Sequence, residues 1–565
     1  MAIEQLKVRE IVERAVSKKV DIPEFQREFV WDPEQVKKLA ESLYRNYPVG
    51  SFLLWDSSEY QESKTAEGTQ ASLWIVDGQQ RTTALCLLFG QKPYWWNNTN
   101  SWNEALERYD VMINLPLEDG EEHLEFALPN PIRRKDPRWI SIRDVLKEEN
   151  PAALKELAEN VVGSNNSNNS RSEDILQRFS KVYACLQNLW QIRERDIPVI
   201  TISHQVEDVA EIFARLNQEG TRVKEADVIL ALAAVRNPGW VREEYLPFRN
   251  ELEDCGWDLD AGVLVRTMTG IAKGRASLRE VPKDFWSSDN LRKAWDETKE
   301  SIGEVLIKRL AGFGITSVDL LPSANSLIPL IVLHHHWHNK PGYSFERAFC
   351  WFLLANRDGR YSGASITSLN EDLRAIKDAK DFDAALKNLH SRLRVPPKID
   401  SDQFLKNRYD RASNRFLRLM LYLLIFRRNA KDWVDETRIG YDKGSMVTAG
   451  FEPQWHHIYP RSFLKNSNTP DNEIHCLANI TVLNERTNVR KLSSKPPSEY
   501  IREFTITTDS LQAHLIPYVF AAAAGNPKLL EDLWSVGRYK EFITERARLL
   551  AEESNKFLEE LCASH

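Results

Sequence analysis

Apolar and polar positions alternate differently in the two halves of this chain. Ile3–Val16 carries apolar residues at helical spacing. After Asp32–Pro33, an N-cap followed by a proline suited to a first helical turn, Val36–Tyr44 reads as an amphipathic helix. Tyr47–Pro48–Val49–Gly50 is a turn. Phe52–Trp55 and Leu73–Val76 are unbroken apolar runs of strand length. The second runs into Asp77–Gly78–Gln79–Gln80–Arg81–Thr82–Thr83, and Ala84–Leu88 continues as helix. Tyr109–Asn114 and Pro198–Ile202 read as further strands, and the polar run Gly163–Ser170 as a flexible loop. Asp208–Leu216 reads as a helix that Gly220 ends. From Pro238 to about Pro397 the pattern is helical. A long helix is expected over Asp400–Arg428, and Leu511–Phe520 and Leu529–Leu561 close the chain as helices.

At 565 residues the chain is long enough for two to four domains with full cores. Its formal net charge of -7 excludes a global polycation, so any nucleic-acid contact must come from local patches. One candidate is Lys406, Arg408, Arg411, Arg415, Arg418, Arg427, Arg428 and Lys431, set against three acids from Asp402 to Asp432. That run reads equally well as a solvated helix face. The six cysteines are scattered without a C-x-x-C, which suggests neither a zinc ribbon nor a disulfide framework. No apolar run is long enough to span a bilayer, and a cytoplasmic protein without membrane contact is the expectation. His334–His335–His336–Trp337–His338 ends an apolar helix. Consecutive residues point around a helix, so these read as histidines near a C-terminal dipole rather than a metal site.

Candidate chemistry begins at Trp455–His456–His457–Ile458–Tyr459–Pro460. An asparagine follows in Ala478–Asn479–Ile480–Thr481 and another in Thr487–Asn488–Val489–Arg490, within the basic run Arg486–Lys495. Two histidines before a turn can simply pack. Together with both asparagines and the basic run, they point to chemistry. An imidazole can take a proton from water near neutral pH, and a metal ion beside it can hold a phosphate. The set resembles the HNH (ββα-metal) nuclease signature. The resemblance implies His457 as general base, Asn479 orienting its imidazole, and His456 and Asn488 as metal ligands. Arg486, Arg490, Lys491 and Lys495 would contact DNA. His456 stands where the family often carries Asp, and imidazole suits transition ions better than Mg²⁺.

The second site is the strand–turn–helix junction. Helix N-termini bind anions because their first N–H groups lack partners. Gly78 would let the backbone approach a phosphate, Arg81 offers a planar fork, and Asp77 could position a metal or water. Taken with Phe25–Gln26–Arg27, Val30–Trp31 and Tyr47–Gly50, the segment resembles the DGQQR domain of the ParB/sulfiredoxin-like superfamily. That resemblance implies nucleotide binding and hydrolysis by Asp77, Gly78, Gln79, Gln80 and Arg81, with Gln26 and Arg27 as companions. Phe213–Ala214–Arg215–Leu216–Asn217 and Asn356–Ser362 match further segments of the same family.

Both ends together resemble GmrSD-type enzymes, in which a DGQQR domain and an HNH domain share one chain. The implied fold is α+β and mostly helical. It has a ParB/sulfiredoxin-like α/β domain at 1–240, a helical connection at 241–399, and a ββα-metal nuclease embedded in helices at 400–565. The implied activity is anti-phage type IV restriction: nucleotide-dependent cleavage of double-stranded phage DNA bearing modified bases such as glucosylated hydroxymethylcytosine. Expected cofactors are a divalent metal (Mg²⁺ or Mn²⁺) and a nucleoside triphosphate (GTP, UTP or ATP), and a homodimer is an expected assembly. Alternatives of the same architecture sense phosphorothioate or unmodified phage DNA. A third is a regulatory DNA-binding protein with an inactive nuclease.

Overall fold

The computed structural model describes residues 2–22, 29–56, 73–96, 101–115, 125–164, 172–204, isolated positions between 209 and 237, 239–278, 281–286, 288–363, 365–441, 447–484, 487, 492 and 494–564. The polar loop at 165–170, the Phe213–Asn217 segment and the Gly220 helix stop therefore lie outside the described residues. Helices predominate in an α+β fold, and the chain divides into two compact units, Met1–Val235 and Arg236–His565. The helices of 241–399 and those of 400–565 share the second unit. No helix among the described residues is long and apolar enough to cross a membrane.

The first unit is built on a sheet of β1 (Ala2–Lys7), β2 (Val20–Asp21), β3 (Phe52–Asp56), β4 (Leu73–Asp77) and, late in the chain, Asp196–Ile202. A smaller sheet takes β5 (Met112–Asn114), β6 (Phe126–Ala127) and β7 (Trp139–Ser141) in the order β6-β5-β7. With Asp196–Ile202 as β8, the main order is β1-β8-β3-β4-β2. β8 lies antiparallel to β1 and parallel to β3, while β4 is antiparallel to β3 and parallel to β2. The helix expected over Ile3–Val16 begins only at Val8 (α1, Val8–Val16). Ala2–Lys7 is a strand because its backbone pairs with β8, from Ala2 opposite Thr201 to Lys7 opposite Asp196. Such pairing outweighs a helical apolar pattern. The next helix, α2 (Pro33–Tyr44), starts as its sequence signals: Asp32 accepts from Gln35 N at 2.8 Å, and Gln35 returns the bond to Asp32 N at 2.9 Å.

In the second unit the helix expected over Asp400–Arg428 is broken. Ser401–Lys406 is helical, and Arg415–Arg427 resumes after a short 3-10 turn. Between them the backbone pairs with 475–477: Tyr409 N donates to His475 O at 3.0 Å, and Leu477 N to Asn407 O at 3.1 Å. Pro517 likewise divides the helix expected over Leu511–Phe520. The run expected as one helix over Leu529–Leu561 is Pro527–Leu533 followed by Tyr539–Ala563.

The histidine run is structural. His334 Nδ1 lies 2.7 Å from Tyr343 Oη, His334 stacks on His338, and His335 Nδ1 lies 2.9 Å from Ser301 Oγ. The segment Asn356–Ser362 is a tie. Arg360 Nε and Nη2 and Tyr361 Oη all donate to the fully buried Asp372, at 2.6, 2.9 and 2.6 Å. Arg357 donates to the carbonyls of Pro396, Pro397 and Lys398. Contrary to the expectation from cysteine spacing, Cys350 and Cys562 form a disulfide, with Cα atoms 5.7 Å apart across 212 residues of chain. Sequence spacing gives no sign of a partner that distant.

Burial holds His334 and His514 neutral, each with its pKa lowered to about 4. The unfolded chain therefore takes up protons first as pH falls, and the stability these histidines contribute is lost between about pH 6.5 and 4. We expect the urea midpoint of the second unit to fall across that window, by an amount on the order of 3 kcal/mol for His514 alone. His514→Gln should flatten the profile, and an unchanged profile would contradict a neutral buried imidazole.

Candidate functional site

At the N-terminal junction β4 ends in Asp77, Gly78 turns the chain with φ +110°, and helix α3 (Gln79–Phe89) follows. Arg81 lies on the first turn of α3. Its Nη1 donates to Val49 O at 2.7 Å and its Nη2 to Ser51 O at 3.1 Å and Asp77 Oδ2 at 2.7 Å. The guanidinium also lies over the Phe52 ring, 4.8 Å from its centroid. Its fork is thus tied to the Tyr47–Gly50 turn and to Asp77. Gly50 has φ +83°, and a Cβ there would sit 2.6 Å from Arg81 Nη1. Gly78 is needed for a similar reason: a Cβ would meet the Phe52 ring at 2.5 Å rather than open space. Gln80 Oε1 accepts from Val30 N at 2.9 Å, fastening the Phe29–Trp31 segment. The DGQQR segment, the Tyr47–Gly50 turn and Val30–Trp31 thus occur together because they bond to one another. Gln26 and Arg27 lie outside the described residues.

Gly50→Ala and Arg81→Ala should each destabilise the first unit, by about 1–3 kcal/mol for the strained, crowded alanine. The double variant should cost less than the sum, because both changes break the same interaction. Strict additivity in urea denaturation would count against a direct tie between Gly50 and Arg81.

The C-terminal site is a hairpin of β9 (Gln454–His457) and β10 (Ile480–Leu483), with His457 opposite Ile480 and His456 opposite Thr481. Neighbouring strand residues face opposite sides, and this separates the two histidines. His456 is 2% exposed and packs edge-on against Trp433 and Tyr500. His457 is half-buried on the other side, its ring against Tyr409 and His475. The two imidazoles still lie near enough for His456 to act on the charge of His457. Asn488, Arg486, Arg490 and Lys491 lie outside the described residues. Lys495 pairs with Glu503 and lies over the Phe504 ring. Among the described residues no three His, Cys, Asp or Glu side chains form a group that could hold a metal ion.

Asn479 acts on the backbone rather than on the imidazole. Its Oδ1 accepts from Tyr459 N at 2.9 Å, and its Nδ2 donates to Tyr459 O at 3.1 Å and Ile474 O at 2.9 Å. It closes the turn after His457. The imidazole's own partner is His475, a residue that no motif marks in the sequence. His457 Nε2 and His475 Nδ1 are 3.0 Å apart, and His475 Nε2 lies 3.5 Å from Asp471 Oδ1. The carboxylate favours a proton on His475 Nε2, which leaves Nδ1 to accept from His457 Nε2. The remaining lone pair of His457 is then on Nδ1. Burial, then His475, His456 and Arg461, lower the His457 pKa to about 3, so the ring is neutral at physiological pH. Arg408 fixes the other end of this chain by pairing with both Asp471 and Asp410. Asp471 stands four residues before His475, a spacing legible in the sequence, but the approach of His475 to His457 is not.

Residues 8–234 match the family model described as GmrSD restriction endonuclease, N-terminal domain. The first unit is thus similar to the N-terminal domain of GmrSD restriction endonucleases. A Methanocaldococcus jannaschii protein, named only as uncharacterized protein MJ0686, is 20% identical over 529 residues, covering 87% of this chain and 86% of the relative. The GmrSD match coincides with the first unit and includes the Asp77–Arg81 junction. The hairpin with His457 and His475 lies beyond it.

Proposed function

We propose that this chain is a GmrSD-type anti-phage DNA endonuclease that hydrolyses phosphodiesters of modified phage DNA at the His457 hairpin, with nucleotide use by the N-terminal unit. The observation that carries this reading is the Asp471–His475–His457 chain, which leaves a neutral imidazole nitrogen able to accept a proton from water. Asn479 holds the turn that presents His457, and Arg461 stands near enough to influence its charge. An incoming phosphate would offset those neighbouring positive charges and raise the basicity of the ring. A divalent metal would help hold the scissile phosphate, and a nucleoside triphosphate would be the ligand of the N-terminal unit. One observation favours the alternative, a DNA-binding protein with an inactive nuclease: His456 is buried against Trp433 and Tyr500.

The test is digestion of matched phage DNAs that differ only in base modification. Mg²⁺ or Mn²⁺ is supplied, and GTP, UTP and ATP are added singly or omitted. Cleavage confined to modified DNA supports the full reading. Equal cleavage of both DNAs removes modification dependence. Binding without cleavage under every condition favours the inactive-nuclease alternative.

A further inference from the structure

Four members of the cationic run from Lys406 to Lys431 form ion pairs within the molecule. Lys406 pairs with Asp402, Arg408 with Asp410 and Asp471, Arg427 with Glu560, and Arg428 with Glu553. These cations are neutralised within the molecule. Arg415 and Arg418, three residues apart on the helix Arg415–Arg427, have no acidic partner among the described residues. Neither has Arg461, which is exposed at the start of the helix Arg461–Lys465.

The unpaired cations converge on the His457 hairpin. Arg418 lies over the ring of Trp455, two residues before His457, at 5.9 Å from the centroid. Arg415 is close enough to Arg418 to act on its charge, and Arg418 and Arg461 both act on Tyr409, whose ring packs on His457. Asp410 and Asp471 act on these cations through space but form their ion pairs with Arg408. Arg415 and Arg418 repel one another, Asp410 and Asp471 offset Arg418 and Arg461 only through space, and in a chain of net charge -7 that local group of cations without ion pairs is not a general property of the surface. A polyanion that follows the hairpin would relieve the repulsion.

We propose that Arg415, Arg418 and Arg461 form a track for the sugar-phosphate backbone of duplex DNA, holding it across His457. The partner is argued from charge complementarity. The inference rests on the nuclease reading only for its choice of duplex DNA as partner. Contacts of this kind go to phosphates, so the track should position DNA without reading its sequence.

The test uses the full chain and a short labelled DNA duplex, with anisotropy binding measured in EDTA between about 50 and 200 mM salt. Removing one phosphate-binding cation should reduce the slope of log K against log salt by about 0.9. Arg415→Gln and Arg461→Gln, both at exposed positions, are expected each to show that reduction. Arg428→Gln, which breaks only its internal pair with Glu553, should keep the wild-type slope. The proposal is overturned if Arg415→Gln and Arg461→Gln keep the wild-type slope, or if Arg428→Gln changes it equally. It is also overturned if the wild type shows no salt-dependent binding, or if the effects appear on single-stranded RNA and not on duplex DNA. His457→Ala, tested in the same assay and for cleavage, separates the two readings. A His457→Ala protein that still cleaves removes the nuclease assignment, while the slopes continue to judge the track.

Discussion

His457→Ala lowers DNA cleavage by about 10²–10⁴-fold, the usual effect of removing a positioned general base. Binding to duplex DNA is retained, because the imidazole is neutral and contributes no cation to the interface. His475→Ala removes the ring that fixes the His457 tautomer and is expected to cost less, since the base itself remains. His475→Gln, whose side-chain oxygen can accept from His457 Nε2, should restore part of that loss. Asn479→Ala should act through the fold, because its bonds go to the backbone of Tyr459 and Ile474. The measurement is single-turnover cleavage of a matched modified DNA, with thermal denaturation of each variant as control. Wild-type cleavage by a folded His457→Ala protein would remove the active site from this hairpin. Equal losses for His475→Ala and His475→Gln would show that the second ring does more than accept a bond.

Replacing Arg546 by Met destabilises the second unit by about 3–5 kcal/mol, the range for breaking a buried charged arrangement by removing one side. Arg546 is wholly buried on the helix Tyr539–Ala563. Its Nη1 donates to Ala478 O at 2.8 Å and Ile480 O at 2.7 Å, the carbonyls on either side of Asn479. Its Nη2 donates to His514 O at 3.1 Å and its Nε to Leu515 O at 3.2 Å. Burial lowers its pKa to about 9, which still leaves it charged at neutral pH. A methionine fills much of the volume and leaves four carbonyls without a donor, each carrying a desolvation cost of about 1–3 kcal/mol where water cannot reach. Lysine should rescue little, since a point charge cannot span the same fork. Urea unfolding followed by tryptophan fluorescence measures the loss. A change below about 1 kcal/mol would mean that water or a shifted backbone replaces the guanidinium. Because the same side chain fixes both neighbours of Asn479, a partly folded variant should also lose cleavage.

The sequence by itself determined the local elements whose signals are local. The Asp32–Gln35 capping box, the strands Phe52–Asp56 and Leu73–Asp77, and the turn from Asp77 into α3 all depend on neighbours within a few residues. It also marked the His457 and Asn479 segments that meet in the hairpin, through the paired histidines and the asparagine that resemble a nuclease signature. Tertiary structure decided what those residues do. Adjacent positions in a strand face opposite sides, so His456 went to the core and His457 to the site, which no motif spacing can express. The helix through Asn407–Asp410 gave way to pairing with 475–477, and that break set Tyr409 against His457. His475 became the partner of His457 by a turn that Asn479 closes, and Arg81 became a tie because the Val49 and Ser51 carbonyls lay within its reach. The disulfide of Cys350 with Cys562, and the pairing of Arg427 with Glu560 and Arg428 with Glu553, depend on partners more than a hundred residues away. Periodicity records which face of an element is buried. The partner that buries it comes from the rest of the chain.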